Sequence, residues 1–468
     1  MLLTGYEPQR VLYWFEKICA IPHGSGDTKR ISDMCKSFAT EHGLEYRQDE
    51  LNNIVIYKSG SAGRENEPPV ILQGHLDMVC EKEPDCDIDF TKDPLRLKVE
   101  GDILSADGTT LGGDDGIAVA MALAILEDDT LSHPPIEALF TVDEETGMYG
   151  AAGLDAGWLI GKRLLNIDSE QEGVLTAGCA GGARADIKLP LIPTALTAPC
   201  YHIVIDGLAG GHSGVEIHKG RHNADKLMGE LINRMNDVCL ITLSGGQKDN
   251  VIPAKSETRI STTTDPETLV DAFIKEYRND ANPDLRITVT PCEEAVGYDS
   301  FSSKAALTML CQLPCGVQKM SEDIEGLVQT SLNLGVMELE DDILHLSFAV
   351  RSSLGTEKEQ LLRKLASIAD MHGADFAVRG QYPAWEFVKN SPLRDTMITV
   401  YERLYGSTPK VEIIHAGLEC GLLSEKIENM DAISIGPDMW DIHSPRERLS
   451  IASVGRTYRY VCEILKEI

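Results

Sequence analysis

The pattern of apolar and polar residues divides the chain into regions of two styles. In the first part, short runs that are apolar throughout alternate with helical patterns, which is typical of an α/β fold. The segment "GIAVAMALAILED" (116–128) predicts a buried helix. Uninterrupted apolar runs predict strands that are covered on both faces, and here they are "PPVILQ", "IEALFTV" (136–142) and "RLLNI" (163–167).

After a proline-containing segment at 189–200, predicted to be a linker or crossover, the pattern changes. The runs "YHIVIDGL" and "LRITVTP" alternate more clearly, which indicates strands with one face on helices and the other exposed. "SLNLGVMEL" and "ILHLSFAVRSS" predict a hairpin across "EDD". Helical patterns occupy 222–238 and 266–280, and another precedes "MHG".

Around Ser391 the first style returns, with the helical pattern "PLRDTMITVYERLYG", the apolar run "DAISIG" (431–436) and a final amphipathic segment. We therefore predict a discontinuous first domain, formed by residues 1–185 and 396–468. A second domain, residues 186–395, is inserted into it. Element boundaries from sequence patterns are accurate to a few residues.

Charge and cysteine content narrow the function classes. The 468 residues carry a net charge of −31, from 74 acidic and 43 basic residues. Such a field repels phosphate backbones and anionic lipids, which argues against nucleic-acid and membrane-surface roles. The 12 cysteines include no CxxC pair, and no signal peptide or long apolar span is apparent. These features predict reduced thiols in a cytoplasmic protein.

Acidic residues and histidines follow the predicted strands of the first domain. In open α/β sheets, ligands bind beyond the carboxyl ends of the strands. A single histidine or a "DEE" turn is common without any function, but five such placements at one sheet edge favour a site. The candidate residues are His75, Asp77, Asp114, Asp115, Asp143, Glu144, Glu145, Asp168, Glu170 and His443.

Imidazole and carboxylate groups are suitable ligands for zinc or a similar divalent ion. Two histidines and several acids are too many for one four-coordinate ion, so we expect two ions about 3.5–4 Å apart that share a bridging carboxylate. Such a pair lowers the pKa of a shared water and polarises a carbonyl. A further carboxylate must accept the proton of the water, and the adjacent Glu144 and Glu145 can supply one base and one ligand.

Several motifs occur together and in order along the chain: "GHLDMV", "GTTLGGDDGIAVAMALAIL", "DEETGMYGAAGL", "NIDSEQEG", "GGHSGVEIHKG", "IIHAGLECGLL" and "SIGPDMWDIHSP". This set resembles the di-zinc M20 metallopeptidases, and among them most resembles the aminoacyl-histidine dipeptidases (Xaa-His dipeptidase, carnosinase-like). The resemblance implies a mixed-sheet α/β exopeptidase domain with helices on both faces. It also implies an inserted α/β lid and dimerisation domain, an α+β sandwich.

The resemblance also implies roles for the first-domain residues. His75 and Asp168 would bind one metal, Glu145 and His443 would bind the other, and Asp114 would bridge the two. Asp77 would orient His75. Glu144 would act as the general base and then as the general acid. Two residues depart from the family pattern. Asp115 stands where the dipeptidase subgroup usually has Asn, and Gly116 where the wider family often has a basic residue. The choice between Asp114 and Asp115 as the bridge is therefore open, although the surrounding glycines favour Asp114. The family also implies a cis peptide after the bridging residue.

In the inserted domain, the resemblance implies that His212 stabilises the oxyanion, often from the partner subunit. Arg351 and Asn250 would hold the C-terminal carboxylate of the substrate. The loop "HAGLECG" would line the pocket for the C-terminal residue, through His415, Gly417 and Glu419. These residues could instead have structural roles. Arg351 would then be a salt-bridged strand residue, and His415 and Glu419 would be an internal polar pair.

The predicted function is metal-dependent hydrolysis of unblocked dipeptides, including Xaa-His and β-alanyl-histidine, by a homodimer with two divalent ions per chain. Zn²⁺ is expected, with Co²⁺ or Mn²⁺ as alternatives. Other M20 activities remain open, namely tripeptidase, broad dipeptidase or N-acyl-amino-acid deacylase, as does a non-catalytic metal-binding protein. A serine hydrolase is disfavoured, because "GGHSGV" around Ser213 is not a G-x-S-x-G elbow.

Overall fold

The computed structural model describes residues 2–322, 324 and 326–468, and the chain forms two compact units. The first unit comprises Met1–Gly178, Phe387–Ile413 and Leu418–Ile468, and the second comprises Cys179–Glu386 and Ile414–Gly417. The pattern analysis put the corresponding limits at 185/186 and 395/396. The two units are described separately below.

The first unit is built on a mixed sheet of eight strands within the described residues. The central strands run parallel and the strands toward both edges run antiparallel. In spatial order the strands are Glu45–Gln48, Ile54–Lys58, Ile136–Thr141, Val70–His75, Arg163–Asn166, Asp431–Ser434, Val174–Cys179 and Lys410–Ile414. A smaller antiparallel sheet contains Met439–Trp440, Arg448–Ser450, Ile103–Ala106 and Leu97–Glu100.

The central strands confirm the prediction from the uninterrupted apolar runs. Every residue of Val70–His75 and Ile136–Thr141 is buried, because helices cover the sheet on both faces. The helices of this unit are Gln9–Cys19, Lys29–Glu41, Gly113–Glu127, Tyr149–Gly153, Pro392–Tyr405, Glu419–Lys426 and Ile451–Glu467, with a 3₁₀ turn at Ala156–Trp158.

The predicted apolar helix is confirmed as Gly113–Glu127, and its residues from Gly116 to Leu126 are all buried. It packs closely on the strand that ends in His75. A Cβ atom at Gly74 would lie 2.5 Å from Asp115 Oδ2 and 2.8 Å from Ala118 Cβ. Only glycine therefore allows this strand and the start of the helix to come together.

The second unit contains an antiparallel sheet of nine strands in the part of the chain that the structure describes. Its path runs Arg286–Cys292, Cys200–Asp206, Ser256–Ser261, Cys239–Gly245, Val328–Glu340, Ile343–Ser352, Gly181–Pro190 and Asp375–Tyr382, with Gly316–Met320 beside Val328–Glu340. Two short ladders pair Pro193–Ala195 with Val296–Tyr298 and Gly211–His212 with Val251–Ile252.

The helices of the second unit are Ala224–Asn233, Glu267–Tyr277, Ser300–Gln312 and Gly355–Met371, with a 3₁₀ turn at Ile217–Lys219. The predicted hairpin across "EDD" is confirmed by the pairing of Val328–Glu340 with Ile343–Ser352. The linker or crossover predicted at 189–200 is confirmed at 191–192 and 196–199, but 189–190 end one strand and 193–195 form another. Prolines ended the pattern too early there, although Pro190 closes one strand and Pro193 opens another.

Among the described residues, no helix combines the length and the apolar character that crossing a bilayer requires.

Candidate functional site

The parallel strands of the first unit bring several candidate residues to one sheet edge. Val70–His75 lies between Ile136–Thr141 and Arg163–Asn166, and His75 pairs with Thr141. Because the carboxyl ends of parallel strands meet at the same edge, the residues that follow these strands converge there. His75 itself is the last residue of its strand and is buried.

Four predicted ligands form a chain of close contacts. His75 Nε2 lies 3.1 Å from Asp114 Oδ1, and Asp114 Oδ2 lies 3.2 Å from His443 Nε2. The same nitrogen of His443 lies 2.9 Å from Glu145 Oε1. The carboxylate of Asp114 therefore lies between the two imidazoles, which are 368 positions apart in the sequence.

Asp168 approaches the same nitrogen of His75 as Asp114 does, with its Oδ1 3.6 Å from His75 Nε2. Two overlapping sets of potential metal ligands result, each with its ligand atoms within 4.8 Å of one another. The first set is His75, Asp114 and Glu145, and the second is His75, Asp115 and Asp168.

Asp77 fixes the orientation of its neighbours. His75 Nδ1 donates to the backbone oxygen of Asp77 at 2.9 Å, so the other ring nitrogen faces the carboxylates. The buried Asp77 carboxylate accepts hydrogen bonds from the Ser25 hydroxyl at 2.7 Å and the Glu144 backbone N–H at 3.1 Å. It also accepts a longer one, 3.4 Å, from the N–H of Glu145. The backbone oxygen of Asp77 thus holds the histidine, and its carboxylate holds the acidic turn.

Asp114 and Asp115 occupy different surroundings although they are adjacent. The peptide bond between them is cis, and both have non-helical backbone angles at the start of their helix. Asp115 is fully buried and accepts the backbone N–H of His75 at 3.1 Å, and within the described part of the chain its Oδ1 has no hydrogen-bond partner. Only Asp114, of the two, has one oxygen on each histidine.

The crowding of acids perturbs ionisation throughout the cluster. Burial lowers the pKa of His443, but its contacts with Asp114 and Glu145 outweigh burial and raise the pKa to about 11. The pKa of His75 is likewise raised, because hydrogen bonds to Asp114 and Asp168 outweigh burial. Burial raises the pKa of Asp168 to about 7, and nearby carboxylates add to the effect.

Glu144 and Glu170 share this pattern. Burial and neighbouring carboxylates raise the pKa of Glu144 well above its ordinary value and that of Glu170 to about 7. Buried acids that repel one another in this way require positive charge nearby. The donor set of imidazole nitrogens and carboxylate oxygens fits divalent cations such as Zn²⁺.

Glu447 is a residue of this region that the sequence analysis missed. Its side chain is buried. The carboxylate accepts hydrogen bonds from four successive backbone N–H groups, those of Leu111 at 2.7 Å, Gly112 at 3.2 Å, Gly113 at 2.8 Å and Asp114 at 3.4 Å. It therefore anchors the glycine-rich loop that presents Asp114. Its place four residues after His443 was the only available signal.

Glu419 lies in the first unit and is fully buried. Its Oε2 accepts hydrogen bonds from Gln73 Nε2 at 2.6 Å and Thr141 Oγ1 at 2.5 Å. Gln73 in turn accepts one from Asn166 at 2.6 Å. This network ties together three parallel strands just before their carboxyl ends.

The other predicted residues belong to the second unit. His212 lies on the short strand Gly211–His212, and its Nδ1 accepts the backbone N–H groups of Gly214 at 3.1 Å and Val215 at 3.2 Å. In the neutral ring the proton is therefore on Nε2, which makes this nitrogen the donor. Burial, and then the charge of Arg351, lower the pKa of His212.

Arg351 influences a second histidine in the same way. Burial, followed by the charge of Arg351, lowers the pKa of His415 to about 3, so this imidazole is neutral at physiological pH. His415 Nε2 and Ser331 Oγ are 2.7 Å apart. Arg351 Nη1 donates to Tyr382 OH at 3.1 Å, whereas its buried Nε has no partner among the residues that the structure describes.

Gly417 and Asn250 lie in the second unit as well. A Cβ atom at Gly417 would lie 2.8 Å from the Tyr382 ring, so a larger residue would displace the tyrosine that contacts Arg351. The backbone oxygen of Asn250 accepts the Ser213 N–H at 2.8 Å, which connects its loop to the segment after His212.

Comparison with known proteins gives a family assignment for the whole arrangement. A family model described as peptidase family M20/M25/M40 matches residues 71–467. The chain belongs to this family. The match includes every candidate residue discussed above, from His75 to Glu447.

Two relatives match the full length of the chain. It is 37% identical to the cytosol non-specific dipeptidase of Escherichia coli (strain K12), covering 100% of this chain and 99% of that protein. It is 36% identical to the aminoacylhistidine dipeptidase of Vibrio alginolyticus, whose crystal structure matches with a TM-score of 0.92 over 100% of this chain and 98% of that one. A tripeptidase from Staphylococcus aureus, 17% identical with a TM-score of 0.59, shares the fold. The predicted M20 family and α/β fold class are thus confirmed.

Proposed function

We propose that this M20 family member is a metal-dependent dipeptidase that hydrolyses unblocked dipeptides, including those with C-terminal histidine. The observation that carries the proposal is the contact chain His75–Asp114–His443–Glu145, which runs from the buried His75 to the exposed His443, with Glu144 adjacent to Glu145 in the sequence. Full-length similarity to two proteins named as dipeptidases supports the substrate class. In this proposal the first unit is the catalytic domain, and the second is the lid and dimerisation domain of a cytoplasmic homodimer.

The residues present are suited to two divalent ions. His75 and Asp168 would hold one ion, Glu145 and His443 the other, and Asp114 would serve both. Bound ions of this kind activate water for attack and polarise the carbonyl of the substrate. The contacts of Asp114 with both imidazoles support its assignment over Asp115, whose oxygens point to the His75 backbone and into the protein interior.

Glu144 is proposed to move the proton. Its carboxylate would accept a proton from the attacking water and deliver it to the nitrogen of the leaving amine, which general acid–base catalysis requires. Two contacts support this role. The Glu144 backbone N–H is held by Asp77, and the next residue, Glu145, contacts His443. The Glu144 carboxylate also lies close enough to His75, Asp168 and Glu145 for their charges to shift its pKa, and it is in neither group of potential metal ligands among the described residues.

His212 is proposed to stabilise negative charge on the carbonyl oxygen. Its Nδ1 is engaged by two backbone N–H groups, so Nε2–H is the donor. A neutral imidazole suits this task because it donates a hydrogen bond without competing as an acid. The lowered pKa that burial and Arg351 impose keeps the ring neutral at physiological pH.

Arg351 is proposed to bind the free C-terminal carboxylate of the dipeptide, together with Asn250. The buried Nε of Arg351 has no partner in the described residues, which leaves donor capacity for an anion. His415, Gly417 and Glu419 are proposed to shape the pocket for the C-terminal residue. The name of the Vibrio relative supports a preference for histidine there, whereas that of the E. coli relative supports a broad dipeptidase as the second candidate.

One experiment tests the proposal. The protein is stripped with a chelator, reloaded with Zn²⁺, Co²⁺ or Mn²⁺, and assayed on Xaa-His, Xaa-Ala and Xaa-Leu dipeptides, with free and amidated C-termini, and on N-acyl-amino acids and tripeptides. We expect chelator-sensitive hydrolysis of dipeptides that strongly prefers the free carboxylate. Equal rates on Xaa-His and other dipeptides would select the broad enzyme, and activity confined to tripeptides or N-acyl-amino acids would contradict the dipeptidase assignment.

A further inference from the structure

Two cysteines of the second unit face each other across neighbouring strands. Strand Cys200–Asp206 pairs antiparallel with strand Arg286–Cys292, and Cys200 is in register with Cys292. Residues directly opposite in an antiparallel pair point to the same face of the sheet. Both cysteines are free thiols. The register thus brings together two thiols that are 92 positions apart in the sequence.

The spacing of opposed strand residues suits a disulfide. In antiparallel pairs, opposite Cα atoms lie about 4.5–5.5 Å apart. Disulfides form between residues whose Cα atoms are roughly 4.4–6.8 Å apart. The Cys200 Sγ now donates to the backbone oxygens of Ala198 at 3.7 Å and Glu294 at 3.9 Å. Rotation of this side chain about χ1 is the motion needed to bring its sulfur onto Cys292.

We propose that Cys200 and Cys292 are a thiol–disulfide exchange site, which forms a reversible intramolecular disulfide with small oxidised disulfides such as glutathione disulfide. The Cys292 thiolate attacks one sulfur of glutathione disulfide, which breaks that S–S bond and releases one glutathione thiolate. The Cys200 thiolate then attacks Cys292 Sγ, forms the protein disulfide and releases the second glutathione. The two protons lost by the protein are taken up by the two glutathione thiolates.

Exposure assigns the order of the two steps. Cys200 is buried, with 8% of its surface exposed, whereas Cys292 is partly exposed at the end of an edge strand. Cys292 is therefore the thiol that the small disulfide reaches first. Burial, and the nearby Cys200, raise the pKa of Cys292, so exchange is faster in mildly alkaline solution, where more thiolate is present.

A third cysteine supplies a matched control. Cys239 is in register with Ser261, which is in turn in register with Cys200. Cys239 is therefore two strands from Cys200, roughly 9–10 Å away at the usual strand spacing and beyond the reach of a disulfide. The groups of potential metal ligands found among the described residues include none of Cys200, Cys239 and Cys292, so no metal site competes with the proposed disulfide there.

The test uses the full-length protein incubated with glutathione disulfide at pH 8.5, blocked with N-ethylmaleimide and digested with trypsin without reduction. Trypsin places the three cysteines on separate peptides, 189–219, 235–248 and 287–304. We expect a linked peptide pair joining 189–219 to 287–304, a loss of two hydrogen atoms from the intact mass, and reversal by dithiothreitol. Cys239→Ser should form the same link to the same extent.

The single variants separate the two steps. Cys200→Ser should stop at one glutathione on Cys292, and Cys292→Ser should leave Cys200 blocked by N-ethylmaleimide, each with the wild-type circular dichroism spectrum. The proposal is overturned if Cys200 links to Cys239, or if Cys292 in the wild type retains glutathione or reacts only with N-ethylmaleimide. Because Cys292 is partly exposed, the Cys292→Ser variant is expected to fold. This variant keeps the test decisive even if the Cys200→Ser variant does not fold.

Discussion

The two units contain pairs of histidines whose ionisation is shifted in opposite directions. In the first unit, carboxylates raise the pKa of His75 and His443. In the second unit, burial and Arg351 lower the pKa of His212 and His415. The difference shows how one residue type is adapted to two tasks. In the proposed function, the imidazoles among acids belong to the site that binds cations, and the neutral imidazoles near Arg351 belong to the site that binds the substrate's carboxylate and carbonyl oxygens.

The largest effect on activity is expected from a change at Glu144, in the acidic site of the first unit. Glu144→Gln removes the proposed proton carrier but keeps the shape of the side chain, so kcat should fall by about 10²–10⁴. Bound metal, measured by atomic absorption after gel filtration, should match that of the wild type. Hydrolysis near the wild-type rate would exclude Glu144 as the base, and loss of metal would indicate that it is a ligand.

A smaller loss is expected from the second unit. His212→Ala removes the proposed Nε2–H donor and should lower kcat by about 10²–10³, with little change in KM. His372→Ala serves as the control, because this histidine contacts Gln312 on the surface. A change restricted to KM would show that His212 binds substrate without stabilising the transition state.

A smaller effect on the metal site is expected from a change in the loop that presents Asp114. Glu447→Gln replaces a carboxylate oxygen with an NH₂ group that faces backbone N–H donors, and repulsion should displace the loop. Mutation of residues that hold metal ligands in place typically lowers metal affinity by roughly 10–100-fold. The affinity is measured by competition with a fluorescent chelator, with Glu463→Gln as control, since this partly exposed carboxylate pairs with Lys466 and contacts none of the metal-site residues. Unchanged affinity would mean that the loop holds its shape without this anchor.

The smallest effect concerns stability in the second unit. Asp225 is fully buried, and among the described residues neither of its oxygens has a hydrogen bond of good geometry, because the nearby Ser256 hydroxyl donates to Ser244 O at 3.2 Å. Burial raises the pKa of Asp225 from 3.8 to about 8. The folded state therefore keeps a proton that the unfolded state loses above pH 4, and stability falls as pH rises from about 4 to 8.

Asp225→Asn removes this dependence. It should raise the thermal midpoint at pH 7 by a few degrees, with a gain of at most about 4 kcal/mol, and the gain should vanish near pH 3. The exposed Asp271→Asn is the control. Scanning calorimetry from pH 3 to pH 8 checks this prediction, and an equal gain at both ends of the range would contradict it.

Local patterns predicted much of the fold. The apolar runs around 70, 136 and 163 became the parallel centre of the first sheet, because strands covered on both faces place apolar residues on both faces. The prolines at 190 and 193 misled the prediction, since a proline can end or begin a strand as well as break it. Helical patterns overran their ends, as in Ala224–Asn233, for lack of a strong stop signal.

The sequence alone determined which residue types are available for chemistry and that several of them follow strands. Only the tertiary structure decided which of two adjacent aspartates contacts both histidines, and that Glu447 supports them. These outcomes depend on strand register, on the close packing that Gly74 allows, and on contacts between segments more than three hundred residues apart. Such contacts leave no local pattern, because their energy exists only when the chain has folded.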